Sequence, residues 1–237
     1  MMDETRFSVV IPAHNEQDNI APLLEDLLKL RKKIENPFEI VVVNDNSSDK
    51  TGGIAEEYSK KYKNIKVVHR SKGNNGMGFA LVDGTKKATH DITLWVMGDR
   101  SDSLETIPKI VGRIGEGYNL VTGSRYITGG SRGDLDLFKS FLSMGYSLLA
   151  RAVFGVPTHD ITNAFRGFRR EVFDSVRLES GDFAISPEFA IKAHIKGYKL
   201  GEVPTGYSNR RAGQAKFDLL RMGIRYFQLF KYKFTGD

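Results

Sequence analysis

The feature that most constrains this chain is a repeated unit: a short β-branched run, then a polar turn, then a helical pattern. Phe7-Ser-Val-Val-Ile-Pro12, Phe38-Glu-Ile-Val-Val-Val43, residues 65–68 and Ile92-Thr-Leu-Trp-Val-Met97 read as strands. Helical patterns separate them at about 20–34, 53–62 and 78–88, the first with Ile20, Leu23, Leu24, Leu27 and Leu28 largely on one face. Apolar runs that are continuous suit strands covered on both faces, and crossover helices make neighbouring strands parallel. The expected fold is α/β, a three-layer α/β/α sandwich around a mainly parallel sheet. Pro12 is expected to stop the first strand, and Asp18 or Asn19 to cap the first helix. A helix at 104–114 and a short strand at 120–122 extend the pattern.

Two strands run into carboxylates. Asp45 and Asp49 lie in Asn44-Asp-Asn-Ser-Ser-Asp49, and Asp99 and Asp102 in Trp95-Val-Met-Gly-Asp-Arg-Ser-Asp102. Asp and Asn suit turns for local hydrogen bonding alone, and Ser101, Asp102 or Ser103 can cap a helix. Open α/β sheets, however, bind ligands beyond the carboxyl ends of their strands. A carboxylate there accepts hydrogen bonds from a base or ribose, and an oxygen-lined turn suits Mg2+ or Mn2+ beside a diphosphate.

Other chemistries are disfavoured. The chain has no cysteine, so disulfides and thiolate metal sites are excluded. Its five histidines lack zinc-ligand spacing, and Gly73-Asn-Asn-Gly-Met-Gly78 does not follow the first strand as a dinucleotide fingerprint requires. No nucleophile elbow is present, and His159-Asp160 reads as a loop pair. A formal charge of +6 favours anionic partners, but dispersed basic residues without a stacking surface argue against nucleic acid. The polar first six residues do not read as a signal peptide, and no run of about 18 apolar residues could span a bilayer.

The second half carries basic residues beside glycine: Arg166, Arg169 and Arg170 around Gly167, and Arg210, Arg211 and Lys216 around Gly213. They read either as solvated surface charge or as phosphate ligands. Two helical stretches, 137–156 and 218–234, mix aromatic, aliphatic and basic residues. Core helices and helices lying in a membrane interface both fit that pattern.

Ser8-Val-Val-Ile-Pro-Ala-His-Asn-Glu16, Val42-Val-Asn-Asp-Asn-Ser-Ser-Asp-Lys-Thr51 and Gly123-Ser-Arg-Tyr126 resemble the family-2 inverting glycosyltransferases of GT-A fold. Asp160 to Arg170, Glu202-Val-Pro204 and Arg210-x-x-Gly213-x-x-Lys216 narrow the resemblance to polyprenyl-phosphate sugar transferases like dolichol-phosphate mannose synthase. The resemblance implies one domain over 1–237, with a nucleotide-sugar half at 1–126 and an acceptor half with amphipathic helices at 127–237. It implies donor contacts from Pro12, His14, Glu16, Val43, Asp45, Lys72, Gly98, Asp99, Arg210 and Lys216. Arg125, Lys139 and Arg166 would meet the acceptor phosphate, and Asp99, Asp160, Arg125 and Arg166 would carry catalysis.

One departure stands out. The family's first acid of the D-x-D turn is Met97 here, and its following Gln is Ser101. A thioether is a poor ligand for a hard cation. Metal binding is therefore expected from Asp99, Ser101 and Asp102, with Asp160 as the other candidate to complete the shell. The implied reaction moves a hexose from GDP-mannose or UDP-glucose to a polyprenyl phosphate, with inversion and a divalent cation. The enzyme would be peripheral on the cytoplasmic face of a membrane, as a homo-oligomer or with an anchoring partner as the alternatives. A transferase acting on a sugar hydroxyl would need a base, for which Asp160 or Glu188 is the candidate. A non-catalytic nucleotide-sugar-binding subunit is a further alternative.

Overall fold

The computed structural model describes residues 5–34, 36–71, 73, 75–209 and 219–235, with backbone alone at 219 and 220. Strands and helices alternate as β1 (Phe7–Ala13), α1 (Gln17–Lys33), β2 (Phe38–Asp45), α2 (Thr51–Lys61), β3 (Ile65–Arg70), α3 (Met77–Lys87) and β4 (Ile92–Trp95). Then come α4 (Ile107–Gly115), β5 (Leu120–Ser124), α5 (Leu137–Phe154), β6 (Arg166–Arg169), α6 (Arg170–Ser175), α7 (Ile185–Ile195) and β7 (Leu200–Pro204). The C-terminal segment holds α8 (Leu219–Gln228) and, after a 3-10 turn, α9 (Tyr232–Thr235).

Among the described residues, seven strands form one sheet in the order β3-β2-β1-β4-β6-β5-β7. Every neighbouring pair is parallel except β4–β6 and β5–β6. The sheet is therefore α/β and mainly parallel, as its continuous apolar runs require; β2 is buried along its whole length. Chain order reverses beside β1, which has β2 on one side and β4 on the other, and the crevice at such a switch point is where these folds bind ligands.

Each face of the sheet carries its own core. On one, Phe7, Val9, Ile11, Leu24 and Ile110 pack together. On the other, Val10, Val43, Trp95, Phe168 and Phe189 do. Trp95 meets Phe168 edge-on at 5.1 Å and donates its indole N–H to Thr85 Oγ1 at 3.0 Å. Helix α3 lies close on the sheet because Gly84 has no Cβ, which would stand 2.4 Å from Val10 Cγ1.

Three local expectations change. Pro12 does not stop β1, which runs on to Ala13 in register with Asn44. Neither Asp18 nor Asn19 caps α1; the N-cap is Glu16, and Asp49 Oδ2 accepts the Gln17 N–H at 3.2 Å from across the next loop. The other Asp49 oxygen takes the Thr51 N–H at 2.9 Å, so one carboxylate secures the starts of α1 and α2. Strands β6 and β7 complete the sheet in segments read from sequence only as phosphate and family motifs.

Helix α5 buries Ser140, Tyr146, Ser147, Ala150 and Phe154, while Leu137, Phe138, Phe141, Met144 and Leu148 stay exposed. Ile224, Phe227 and Phe234 at the C-terminal end are exposed as well. No helix among the described residues is long and apolar enough to cross a membrane.

Candidate active site

Two cavities open at the carboxyl ends of β1, β2 and β4. The first, about 730 Å³, is lined along one wall by Pro12, His14, Glu16, Asp45, Gly98 and Asp99. The second, about 490 Å³, contains Asp99, Ser101, Asp102, Arg125 and Lys139, with Phe141, Tyr146 and Phe227 from the apolar helices. Met97, Asp99, Phe183 and Met222 line both, so the cavities meet at the acidic turn.

At the first cavity, Asp45 ends β2 almost fully buried. Its Oδ2 accepts the Gly76 N–H at 2.7 Å, and its Oδ1 pairs with Arg70. His14 Nδ1 lies 2.6 Å from the Asp45 carbonyl, and Glu16 Oε2 accepts Asn19 Nδ2 at 2.6 Å. The turns here are strained into shape. Asn15, Asn46 and Arg100 all have positive φ, near 56°, 54° and 63°. Asn tolerates this region better than most residues; for Arg it is a genuine cost. Val43, expected among the donor contacts, lines neither cavity; its side chain is fully buried in the core against α3. Lys72, Arg210 and Lys216 lie outside the described residues.

The acidic turn is closed by its own carboxylates. Asp99 Oδ1 accepts the Ser101 N–H at 3.1 Å, and Asp102 Oδ2 accepts the Met97 N–H at 2.8 Å. Burial pushes the Asp102 carboxyl up, the Met97 N–H pulls it down, and the charge of Asp99 raises it again, leaving it at about 7. A buried carboxyl raised by a neighbouring carboxylate is a natural seat for a divalent cation. Among the described residues no cluster of three His, Cys, Asp or Glu side chains could hold a metal. The residues therefore fit Mg2+ or Mn2+ only in the mode in which one or two carboxylates act together with substrate phosphates. Asp99 and Asp102 would hold the ion, with the buried Ser101 hydroxyl beside them.

Asp160 does not complete that shell. It is fully buried, and both its oxygens are taken by Arg125: Nε at 2.7 Å and the backbone N–H at 3.0 Å on Oδ2, Nη2 at 2.8 Å on Oδ1. Burial would lower the Arg125 pKa, but the bonds and charge of Asp160 hold it above its ordinary value. The carboxylate thus aims a permanently charged guanidinium into the second cavity, where Nη1 has no acceptor among the described residues.

Arg166 is the clearest correction. Expected at the acceptor phosphate, it is fully buried and lines neither cavity. Its Nη1 donates to the Ser186 carbonyl at 2.6 Å, and its Nη2 donates to the carbonyls of Ile161, at 3.1 Å, and Asn163. Burial pushes its pKa down to about 9, against the pull of Asp160. It clamps the loop that carries Asp160. Arg169 donates to the Ile114 carbonyl, and Arg170 to the carbonyls of Thr85 and Ala88 and to the Asp174 carboxylate. Lys139, by contrast, does reach the second cavity. The sequence reading missed Arg221, Met222 and Arg225 of α8 and Glu179 and Asp182 of the loop before α7, all in the first cavity.

The family model for glycosyl transferase family 2 matches residues 8–177. A dolichol-phosphate mannosyltransferase of Pyrococcus furiosus is 33% identical over 214 residues, 89% of this chain and 59% of that protein. The chain thus spans less than two thirds of that relative's length. A polyprenol monophosphomannose synthase of Mycolicibacterium smegmatis is 27% identical over 238 residues, covering 98% of this chain and 88% of that one. Among solved structures, glucosyl-3-phosphoglycerate synthase from Mycobacterium tuberculosis with Mn2+, uridine diphosphate and phosphoglyceric acid superposes with a TM-score of 0.71. That match is 20% identical and covers 98% of this chain and 79% of the other. The same enzyme with Mg2+ and uridine diphosphate gives a TM-score of 0.70 at 20% identity, over 95% of this chain and 76% of the other. Likeness at that identity is a likeness of fold.

Proposed function

The chain belongs to glycosyl transferase family 2, and from that premise we propose that it moves a hexose from a nucleotide sugar to a polyprenyl phosphate at a membrane surface. One observation carries this reading. The cavity that receives Arg125 and Lys139 is walled by α5 and α8; the exposed Phe141 and Phe227 line it, and α5 also exposes Leu148. Cations at the end of an apolar entrance suit a phosphate on a lipid chain.

The nucleoside end of the donor would lie against Pro12, His14, Glu16 and Asp45, and its diphosphate near Asp99. A divalent cation, when bound by Asp99 and Asp102, supplies charge neutralisation for the leaving diphosphate. Arg125, fixed by Asp160, and Lys139 orient the acceptor phosphate. One of its oxygens forms the new bond to the anomeric carbon while the bond to the nucleoside diphosphate breaks, with inversion. A phosphate monoester has a second pKa of about 6, so its oxygen is already nucleophilic at neutral pH. Positioning and electrostatics then do the catalytic work.

A hydroxyl acceptor would instead require a base, and both candidates are sealed. Asp160 is enclosed by Arg125, and the fully buried Glu188 accepts from the Glu179 and Ser180 N–H groups at 2.9 and 2.8 Å. Lys192 and Tyr232 take what remains of Glu188. Placement on the cytoplasmic face follows from the same reading, since nucleotide sugars are the donors. The test is transfer from labelled GDP-mannose or UDP-glucose to a polyprenyl phosphate, read by extraction into organic solvent. Product confined to the aqueous phase would overturn the reading.

A further inference from the structure

The donor cavity contains an arrangement that nucleoside and diphosphate do not explain. Besides Asp45 and Asp99 it is lined by Glu179 and Asp182, two more carboxylates, with Arg221 and Arg225 from α8. Carboxylates repel a diphosphate but suit neutral hydroxyls, which they accept from readily. We propose that Asp182 and Arg225, with Glu179 beside them, form the hexose-reading end of the donor cavity and so set which sugar is transferred. This rests on the proposed transfer from a nucleotide sugar and adds the residues that recognise the sugar.

The location follows from the geometry of transfer. The anomeric carbon must face an acceptor in the second cavity while its leaving group stays in the first. The hexose therefore belongs at the wall common to both, formed by Met97, Asp99, Phe183 and Met222. Asp182 directly precedes Phe183, and Arg225 lies one helical turn after Met222. The pair thus stands next to the junction, beside Phe183 and Met222. Met97, Phe183 and Met222 offer apolar contact to the C–H faces of a sugar ring, which gives the methionine at the family's acidic position a use.

The pair is built for fixed recognition. Asp182 Oδ2 accepts Arg225 Nε at 3.0 Å, and Oδ1 accepts the Ala184 N–H at 3.0 Å at the start of α7. Each oxygen is held by one donor and keeps a second lone pair for a hydroxyl. Arg225 Nη1 is oriented in turn by Gln228 Oε1 at 3.2 Å. Glu179 is steadied by Tyr232 Oη at 3.1 Å. The loop is also pressed against the opposite wall. The Gly78 N–H donates to the Gly181 carbonyl at 2.9 Å, and a Cβ on Gly76 would stand 2.1 Å from that oxygen. Because the Gly76 N–H also holds Asp45, the glycine-rich turn links the sugar end of the cavity to its base end.

The experiment compares two ligands on each variant. Calorimetry with Mg2+ gives Kd for UDP against UDP-glucose, and for GDP against GDP-mannose, on wild type, Asp182→Asn and Arg225→Gln. The ratio of nucleotide-hexose Kd to nucleoside-diphosphate Kd is expected to rise at least about tenfold in each variant, since a charged hydrogen-bond partner for a sugar hydroxyl is lost. A general distortion of the site weakens both ligands together and leaves that ratio alone. An unchanged ratio in the variants, with the wild type binding both ligands, overturns this assignment only. Wild-type protein that binds none of the four ligands removes the transferase reading and the assignment with it. Arg225→Gln, on a half-exposed helix position, keeps the test available if Asp182→Asn does not fold.

Discussion

Arg125 grips Asp160 with two guanidinium nitrogens, Nε on Oδ2 at 2.7 Å and Nη2 on Oδ1 at 2.8 Å, in a site where the carboxylate has no solvent exposure. Such a fork is available to arginine alone, and it fixes the direction of the charge as well as its presence. Removing one partner of a buried pair strands the other, at a typical cost of about 3–5 kcal/mol. Asp160→Asn keeps an acceptor, so a smaller loss of about 2 kcal/mol is expected, with turnover down about 100-fold. Arg125→Lys should not restore activity. Turnover at varied lipid-phosphate concentration, beside thermal unfolding, checks this; wild-type turnover in Asp160→Asn would refute it.

Asp102 makes the acidic turn sensitive to pH. Its carboxyl rises from 3.8 to about 7, through burial first and the charge of Asp99 after it, the Met97 N–H opposing. A raised folded pKa means that the folded state holds the proton more tightly. This group's contribution is therefore most favourable below about pH 4, declines as pH climbs towards 7 and is flat above. Without divalent cations, Asp102→Asn is expected to raise stability at pH 8 by about 1 kcal/mol or more and to change little at pH 4. Added Mg2+ or Mn2+ with nucleotide should stabilise wild type more at pH 8 than at pH 5.5, because protons compete for the same oxygens. A pH-independent difference between the two proteins would count against this account.

Glu39 has the opposite sign. Burial alone would raise its pKa, yet hydrogen bonds from Lys66, Thr89 and Ser8 bring it down to about 2. Its stabilisation is fully present above about pH 4.5 and is lost as pH falls towards 2. Because Lys66 is partly exposed and screened, Glu39→Gln should cost only about 1–2 kcal/mol at pH 7. In acid unfolding monitored by circular dichroism, the two proteins should converge near pH 2.

How far the sequence carried depended on what each segment had to advertise. β1, β2 and β4 were legible because central parallel strands are unbroken apolar runs, and the acidic turns because Asp and Asn mark strand ends. β6 was not: Arg166-Gly-Phe-Arg169 offers one large apolar residue in four positions, and its antiparallel place depends on Leu94 and Val121 beside it. The burial of Arg166 is equally invisible, since its acceptors are carbonyls, which no side-chain pattern reveals. Asp99, Asp102, Arg125 and Lys139, each named separately from sequence, line one cavity. Arg225 was absorbed into the polar stripe of an amphipathic helix, and only the fold shows that stripe turned towards Asp182.

Arg100 offers a backbone test of the turn. At φ near 63° an arginine is strained by about 1 kcal/mol, and its ion pair with Asp26 at 2.8 Å spans to α1. Arg100→Ala loses the pair and keeps the strain; Arg100→Gly loses the pair and relieves it. The glycine variant should therefore be the more stable of the two by about 0.5–1 kcal/mol, reversing the usual order. Chemical denaturation decides this directly, and an alanine variant at least as stable as the glycine one would show that the turn is not held in that conformation.

The exposed apolar face of α5 and α8 gives the membrane reading its most direct test. Phe141 and Leu148 are 72% and 68% exposed, and Phe227 is 63% exposed on the other helix. Immersing such side chains in a bilayer interface contributes roughly 1.5–3 kcal/mol each at full burial. Phe141→Asp with Leu148→Asp should thus lower partitioning onto anionic lipid vesicles by at least about tenfold in co-sedimentation. The donor cavity is walled by other residues, so nucleotide affinity in vesicle-free solution should stay at the wild-type value. Vesicle binding that survives both changes would move the membrane contact elsewhere, and a parallel fall in nucleotide affinity would mean the variants disturb the fold instead of the surface.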